Sequence, residues 1–157
     1  MDETTRSIID RITIVNPQPV RIYSGHVCKV FYDCIQLSPN DLARLAAQTI
    51  GHLHEGAFDL ALGIAYSGIF FAAAIAGGRQ IAILQKDGLV CGPSLTDKTI
   101  IIVDDVVHSG RHLFNAERIA SSAGARVAGY ACIVDRSNSK VGTPEKPLWS
   151  AFQTTMG

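Results

Sequence analysis

Four short runs of aliphatic and β-branched residues set the fold class. They are Phe58–Ala65 (FDLALGIA), Arg79–Leu84, Thr99–Asp104 (TIIIVD) and Arg126–Val134. Each has the length of one strand, and none shows a sustained apolar–polar alternation, as a strand covered on both faces requires. Helical patterns fall between or before them. Ser38, as cap, and Pro39, in the first turn, open a helix whose stripe is Leu42, Leu45, Ala46, Thr49, Ile50 and Leu53. Gly68–Ala76 reads as a helix of small residues stopped at Gly77-Gly78, and Gly110–Ala123 as a helix stopped by Gly124. Alternating strands and helices predict an α/β fold with a mostly parallel central sheet and helices on both faces. In such sheets ligands bind beyond the carboxyl ends of the strands, so chemistry is sought there.

The region before residue 38 is different in kind. Residues 1–15 suit a short helix with Ile8, Ile9 and Ile12 on one side, halted by Asn16-Pro17 and Pro19. Val20 to Ile35 suits a hairpin with its turn at Ser24-Gly25. A chain of 157 residues is one domain, able to bury roughly 70% of its unfolded surface. Its expected parts are an N-terminal segment (1–37), a core (38–136) and a tail (137–157). Formal net charge is zero, which argues against a nucleic-acid or anionic-membrane partner. No apolar run approaches the ~18 residues of a membrane span. The first twenty residues carry acids and lack a signal peptide's apolar centre, so a cytoplasmic location is expected. Cys28, Cys34, Cys91 and Cys132 form no C-x-x-C pair, and Cys132, in an apolar run, is expected to be buried.

The densest chemistry lies in Ile100-Ile-Ile-Val-Asp-Asp-Val-Val-His-Ser-Gly-Arg-His112. A hydrophobic strand delivers two adjacent carboxylates, Asp104 and Asp105, and a short loop then starts a helix. Loop amides and a helix N-terminus suit a phosphate. Gly110 admits close approach of the backbone, and the Ser109 hydroxyl can donate. The two carboxylates can accept hydrogen bonds from vicinal hydroxyls. Together these parts suit a sugar phosphate. A metal cage from Asp104, Asp105, His108 and His112 is the alternative, but it needs both histidines on one helix, and His108 precedes the expected start near Ser109.

This segment resembles the phosphoribosyl-pyrophosphate (PRPP) loop of type I phosphoribosyltransferases: strand, acidic pair, two apolar residues, small residues and glycine. His108 and His112 replace residues that are small or hydroxylated in that pattern. Gly63-Ile-Ala-Tyr-Ser-Gly-Ile69 is similar to the Gly-Pro-Ala-Tyr-Lys-Gly-Ile turn of orotate phosphoribosyltransferases. Ser24-Gly-His-Val-Cys-Lys-Val-Phe-Tyr-Asp33 is similar to their Ser-Gly-Arg-x-Ser-Pro-Tyr-aromatic-x-Asp segment, and Val134-Asp135-Arg136 to the end of a later strand. The tail segment Lys146–Phe152 is similar to the last strand. The resemblance covers roughly residues 20–152, and family members are longer.

The resemblance implies a type I phosphoribosyltransferase fold with a small N-terminal hood. It implies transfer of the phosphoribosyl group of PRPP to orotate, giving orotidine 5′-phosphate and pyrophosphate, with Mg²⁺ and as a homodimer. Asp104 and Asp105 would hold the ribose hydroxyls. Val106, Val107, His108, Ser109, Gly110, Arg111 and His112 would surround the 5′-phosphate, and Tyr66, Ser67 and Gly68 the pyrophosphate. Lys86 would be the loop base. Tyr23, Phe31, Tyr32 and Arg136 would face the base, the arginine because its bidentate fork suits a carboxylate. Taken singly, Phe31 and Tyr32 also read as core aromatics and Arg136 as a surface charge.

The departures remove positive charge. Tyr23 and Ser67 stand at lysine positions of the family, and the long basic loop is replaced by Gln85–Ser94, with Lys86 its single matching base and glycines and Pro93 that suit a flexible segment. Losing one transition-state donor typically costs ~10²–10³ in rate. A PRPP- or nucleotide-binding regulatory protein of the same fold, and a phosphoribosyltransferase for another base, are therefore the alternatives.

Overall fold

The computed structural model describes residues 1–21, 25 and 27–155. Its elements run α1 (Glu3–Ile12), β1 (Thr13–Arg21), β2 (Val27–Tyr32), α2 (Pro39–Ile50), β3 (Leu60–Ile64), α3 (Ser67–Ala76), β4 (Gln80–Leu84), β5 (Val90–Cys91), β6 (Thr99–Val103), β7 (Val106–Val107), α4 (Arg111–Ser122), β8 (Arg126–Asp135) and β9 (Leu148–Gln153). The main sheet has the order β5-β4-β3-β6-β8-β7, with β9 also on β8. Every pairing in it is parallel except β4 with β5.

Alternate strand residues feed two cores, as the unbroken apolar runs demand. Ala61, Ile101, Val103, Ala131 and Ile133 pack with Ile8, Ile9 and Ile12 of α1, Leu45 of α2, and Phe71 and Ile75 of α3. Leu60, Leu62, Ile100, Ile102 and Cys132 pack with Leu113, Ala116 and Ala120 of α4. Helices thus cover both faces. The start of α2 follows local chemistry: Ser38 accepts from the Asp41 amide at 3.1 Å, and the Asp41 carboxylate accepts from the Ser38 amide at 3.0 Å. Glu117 of α4 accepts from the Tyr130 hydroxyl and pairs with Lys146, tying that helix to β8 and the tail.

Three expectations change. The first helix ends at Ile12, before Asn16-Pro17, and the proline stretch belongs to β1. Its register with β2 shifts between Val15 and Val20, so Pro17 and Pro19 sit in a bulge where no ladder amide is needed. The expected turn falls largely outside the described residues; Gly25 is in the left-handed region at φ +87°. Gln85–Ser94 contains a tight hairpin in place of a flexible loop. The Gln85 amide donates to the Leu89 carbonyl at 2.8 Å, Gly88 turns the chain at φ +89°, and β5 pairs back on β4. Val106-Val107, read as loop, form a short strand beside Val134 and Asp135. The four cysteines are free thiols, with Cys28, Cys34 and Cys132 buried and Cys91 exposed.

The tail strand is keyed by Gly129. A Cβ there would stand 2.6 Å from the Trp149 ring and 2.8 Å from the Pro147 carbonyl oxygen. Gly129→Ala therefore forces β9 off β8. The expected loss is ~1–3 kcal/mol, read as a fall of several degrees in the thermal midpoint.

Candidate functional site

The parallel strands β3, β4 and β6 end at one rim, and there the acidic pair stands. Asp104, 7% exposed, closes β6, its amide donating to the Ala131 carbonyl at 3.0 Å. Asp105 turns the chain into β7. Its carbonyl accepts from the Ile133 and Val134 amides at 2.9 and 3.0 Å, so β8 fixes the turn from below. Each carboxylate is partly satisfied by the next amide: Asp104 Oδ1 accepts from Asp105 at 2.9 Å, and Asp105 Oδ1 from Val106 at 2.8 Å. Asp104 Oδ2 faces His112 Nδ1 at 3.7 Å. Burial, and then the Asp104 charge beside it, push the Asp105 carboxyl up to about 7.

The loop after β7 leads into α4. Gly110 caps the helix at φ +80°, and a Cβ there would stand 2.5 Å from Val141 Cγ2 and 3.0 Å from the Phe114 ring. Glycine is required on both counts. The Ser109 hydroxyl accepts from the Arg111 amide at 3.3 Å, which leaves its proton to donate. Phe31, Tyr32, Asp104, Asp105, Arg136 and residues 106–113 enclose a cavity of about 260 Å³. Of the loop side chains, Val107 is buried, His108 half-buried, and Ser109, Arg111 and His112 exposed.

A second cavity of about 320 Å³ opens on the other side of the acids. Tyr66, Ser67, Lys86, Gln85, Asn115 and His112 line it together with Asp104 and Asp105. The Lys86 ammonium lies 4.6 Å from the centre of the Tyr66 ring. The two meet because β4 lies beside β3 in the sheet. Gly68 does not line this cavity; it is buried beneath it. A Cβ at Gly68 would stand 2.8 Å from the Val103 carbonyl oxygen and 3.1 Å from Asp104 Cα, so the glycine lets α3 press onto the acidic turn.

Arg136 is not a surface charge. It is 6% exposed, donates Nη1–H to the Val30 carbonyl at 2.9 Å, and holds its guanidinium 5.7 Å from the centre of the Tyr32 ring. It both lines the first cavity and fastens the β1–β2 hood hairpin to the sheet. Tyr32 also meets Phe152 edge-on at 6.3 Å, and burial raises its phenol above the ordinary tyrosine range. Phe31 and Tyr32 are half-buried in the cavity wall, while Tyr23 lies outside the described residues. Asn115 and Gln85 were not singled out by the sequence. Asn115 sits three residues after His112 on the same helix, the one signal that pointed to it.

Gly68→Ala tests the packing under the acids. Both nearest atoms are backbone and cannot swing aside, so a loss of ~1–3 kcal/mol in stability is expected by thermal melting.

A scan against models of protein families returned no match. Curated relatives are found by sequence. An orotate phosphoribosyltransferase of Heliobacterium modesticaldum is 30% identical over 77% of this chain and 69% of its own length. One of a Nocardioides species is 26% identical over 87% of this chain and 82% of its own. Among solved structures, Mycobacterium tuberculosis orotate phosphoribosyltransferase in complex with PRPP superposes with a TM-score of 0.73 at 18% identity, covering 96% of this chain and 94% of that one. That likeness establishes the type I phosphoribosyltransferase fold. Taken with the sequence relatives, the chain belongs to the orotate phosphoribosyltransferase family.

Proposed function

We propose that this chain transfers the phosphoribosyl group of PRPP to orotate, giving orotidine 5′-phosphate and pyrophosphate. One observation carries the reading: the acidic pair divides two cavities, and each has the lining that one half of the reaction needs. In the first, the 106–112 loop and the start of α4 take the 5′-phosphate through amides and the Ser109 hydroxyl. Phe31, Tyr32 and Arg136 bound the same space, where a flat base would stack and its carboxylate would meet the guanidinium. In the second, Tyr66, Ser67 and Lys86 receive the diphosphate. Asp104 and Asp105, between them, accept from the ribose hydroxyls and place C1 where leaving group and base meet.

The reaction passes through an oxocarbenium-like state as the diphosphate leaves, and the chain's work is to hold both charges in place. Among the described residues no three His, Cys, Asp or Glu side chains converge as a protein-built metal site requires. Mg²⁺ enters this proposal by family resemblance alone, carried in by the diphosphate. A homodimer and a cytoplasmic location belong to the same proposal by family resemblance. Among the described residues, no helix is long and apolar enough to cross a membrane.

A second reading is favoured by one specific observation. The Gln85–Cys91 segment is a closed hairpin with one lysine, where the resemblance implies a long basic loop. On that reading the chain binds PRPP without turning it over and serves as a regulator, or it serves another base.

Calorimetry with Mg²⁺–PRPP followed by orotate, alongside a pyrophosphate-release assay, separates them. Binding together with release is the expected result; binding without release selects the second reading. Asp104→Asn with Asp105→Asn is expected to weaken PRPP at least 100-fold, since both carboxyl acceptors for the ribose hydroxyls are lost. Unchanged affinity would remove the acids from the site.

The pH dependence has a definite sign. With its carboxyl near 7, Asp105 is a charged acceptor only above that value, so ribose 5-phosphate affinity should rise as pH increases through about 7. Measured relative to Asp105→Asn, which cancels the ligand's own ionisation, the rise is expected to vanish in the variant. Parallel profiles would refute it.

A further inference from the structure

Three side chains border both cavities among the described residues: Asp104, Asp105 and His112. Two are the carboxylates already given a role. The backbone of His112 belongs to the loop assigned to the 5′-phosphate, but its side chain has no role there, and it stands on the first turn of α4 where the family pattern has a small or hydroxylated residue. Its side chain is 50% exposed, so it is not there to fill the core. Its Nδ1 lies 3.7 Å from Asp104 Oδ2, which leaves Nε2 as the ring nitrogen for a ligand oxygen.

The second cavity poses a charge problem. Two carboxylates form part of its wall, yet the proposed occupant is a diphosphate, whose accompanying Mg²⁺ offsets only part of its charge. Among the described residues, Lys86, by Tyr66, is its one permanently charged basic side chain, and His112 is the one other lining side chain that can become positive. Arg111 and Arg136 line the first cavity only. We propose that His112 is the second cation of the diphosphate cavity, donating Nε2–H to the leaving diphosphate of PRPP while Asp104 holds the ring from the other side. The inference rests on the function proposed above and adds a substrate-contacting residue that replaces the lost lysines from a different element.

The groups around His112 set its charge. Asp104 raises its affinity for a proton, and Asp105 acts weakly in the same direction. Partial burial and the Arg111 charge on the same helix act against them, and the net direction is upward from the ordinary histidine value. Across the cavity stand Lys86, Tyr66 and Asn115; His108 lies in the preceding loop. An arriving diphosphate adds negative charge and favours the imidazolium further. The sign follows: diphosphate affinity is highest below the histidine's titration and falls as pH rises through it. This limb runs opposite to that of Asp105, so the two halves of PRPP must be titrated apart.

The test uses the full chain, His112→Gln and His112→Lys, with Mg²⁺–pyrophosphate and ribose 5-phosphate as separate probes between pH 5.5 and 8.5. Expressing each profile as a ratio to His112→Lys cancels the probe's own ionisation. The expected result is a pyrophosphate ratio that worsens about tenfold or more from low to high pH in the native chain. His112→Gln should be weak at low pH, and its effect on ribose 5-phosphate, which meets residue 112 through the backbone, should be smaller and without the pH dependence seen for pyrophosphate. A merely structural role would not be rescued by lysine at high pH. A pH-independent ratio, an unaltered His112→Gln, or an effect seen with ribose 5-phosphate alone would overturn the assignment. If native chain binds ribose 5-phosphate but not pyrophosphate, His112 loses its role and the sugar site stands. Binding of neither probe would sink the function itself. Should His112→Gln fail to fold by circular dichroism, the native-to-lysine ratio still decides.

Discussion

Everything at this site depends on how tightly the end of β6 is packed. A carboxylate taken from water is costly unless donors replace its hydration. Here two consecutive carboxylates are set at one buried turn, and the donors are backbone amides of the residues that follow them. That arrangement requires the turn to be immobile. Immobility comes from β8 below, which donates two amides to the Asp105 carbonyl, and from α3 beside it, which presses its first turn against Asp104 through Gly68. On the proposed function, substrate hydroxyls would complete the shell that these amides begin.

The same turn organises the electrostatics. Negative charge is concentrated in the shared wall, and positive charge is distributed around it on separate elements: Arg136 at the end of β8, Lys86 just past β4, and His112 on α4. Each has a different companion. Arg136 gives a donor to the hood through Val30, Lys86 lies by Tyr66, and His112 faces Asp104. Occupancy of the first cavity therefore bears on the hood, because the guanidinium that would meet the base is also what fastens β2.

The acidic turn and the α4 start were readable from sequence because they are contiguous. A strand, two acids and a glycine before a helix specify their own geometry, and Gly110 at φ +80° is what that order requires. The central strands were readable because burial on both faces leaves an apolar run. What could not be read needed neighbours distant in the chain. Gly68 resembled a ligand-binding glycine, but its neighbours are Val103 and Asp104, supplied by strand order. Arg136 resembled a surface charge because Val30 lies 106 residues away. Pro17 and Pro19 read as a full stop, since the bulge that accommodates them exists only once β2 is paired. Residues 85–94 read as mobile from their glycines, whereas Gly88 is the corner of a closed hairpin.

That hairpin bears on how binding and turnover divide. A long basic loop brings charge and excludes water only when it closes, and ordering it draws on substrate binding energy. The cations here lie on or beside regular elements and need no such ordering. Affinity for PRPP can thus survive the loss of the loop, because preorganised donors act on the bound ground state as well as the transition state. Water exclusion has no such substitute in this segment: a hairpin closed by its own Gln85–Leu89 hydrogen bond cannot extend as a long loop without breaking that bond. The penalty of the shortened segment should fall on kcat more than on substrate affinity, and charge restored by His112 acts on the diphosphate without restoring the lid.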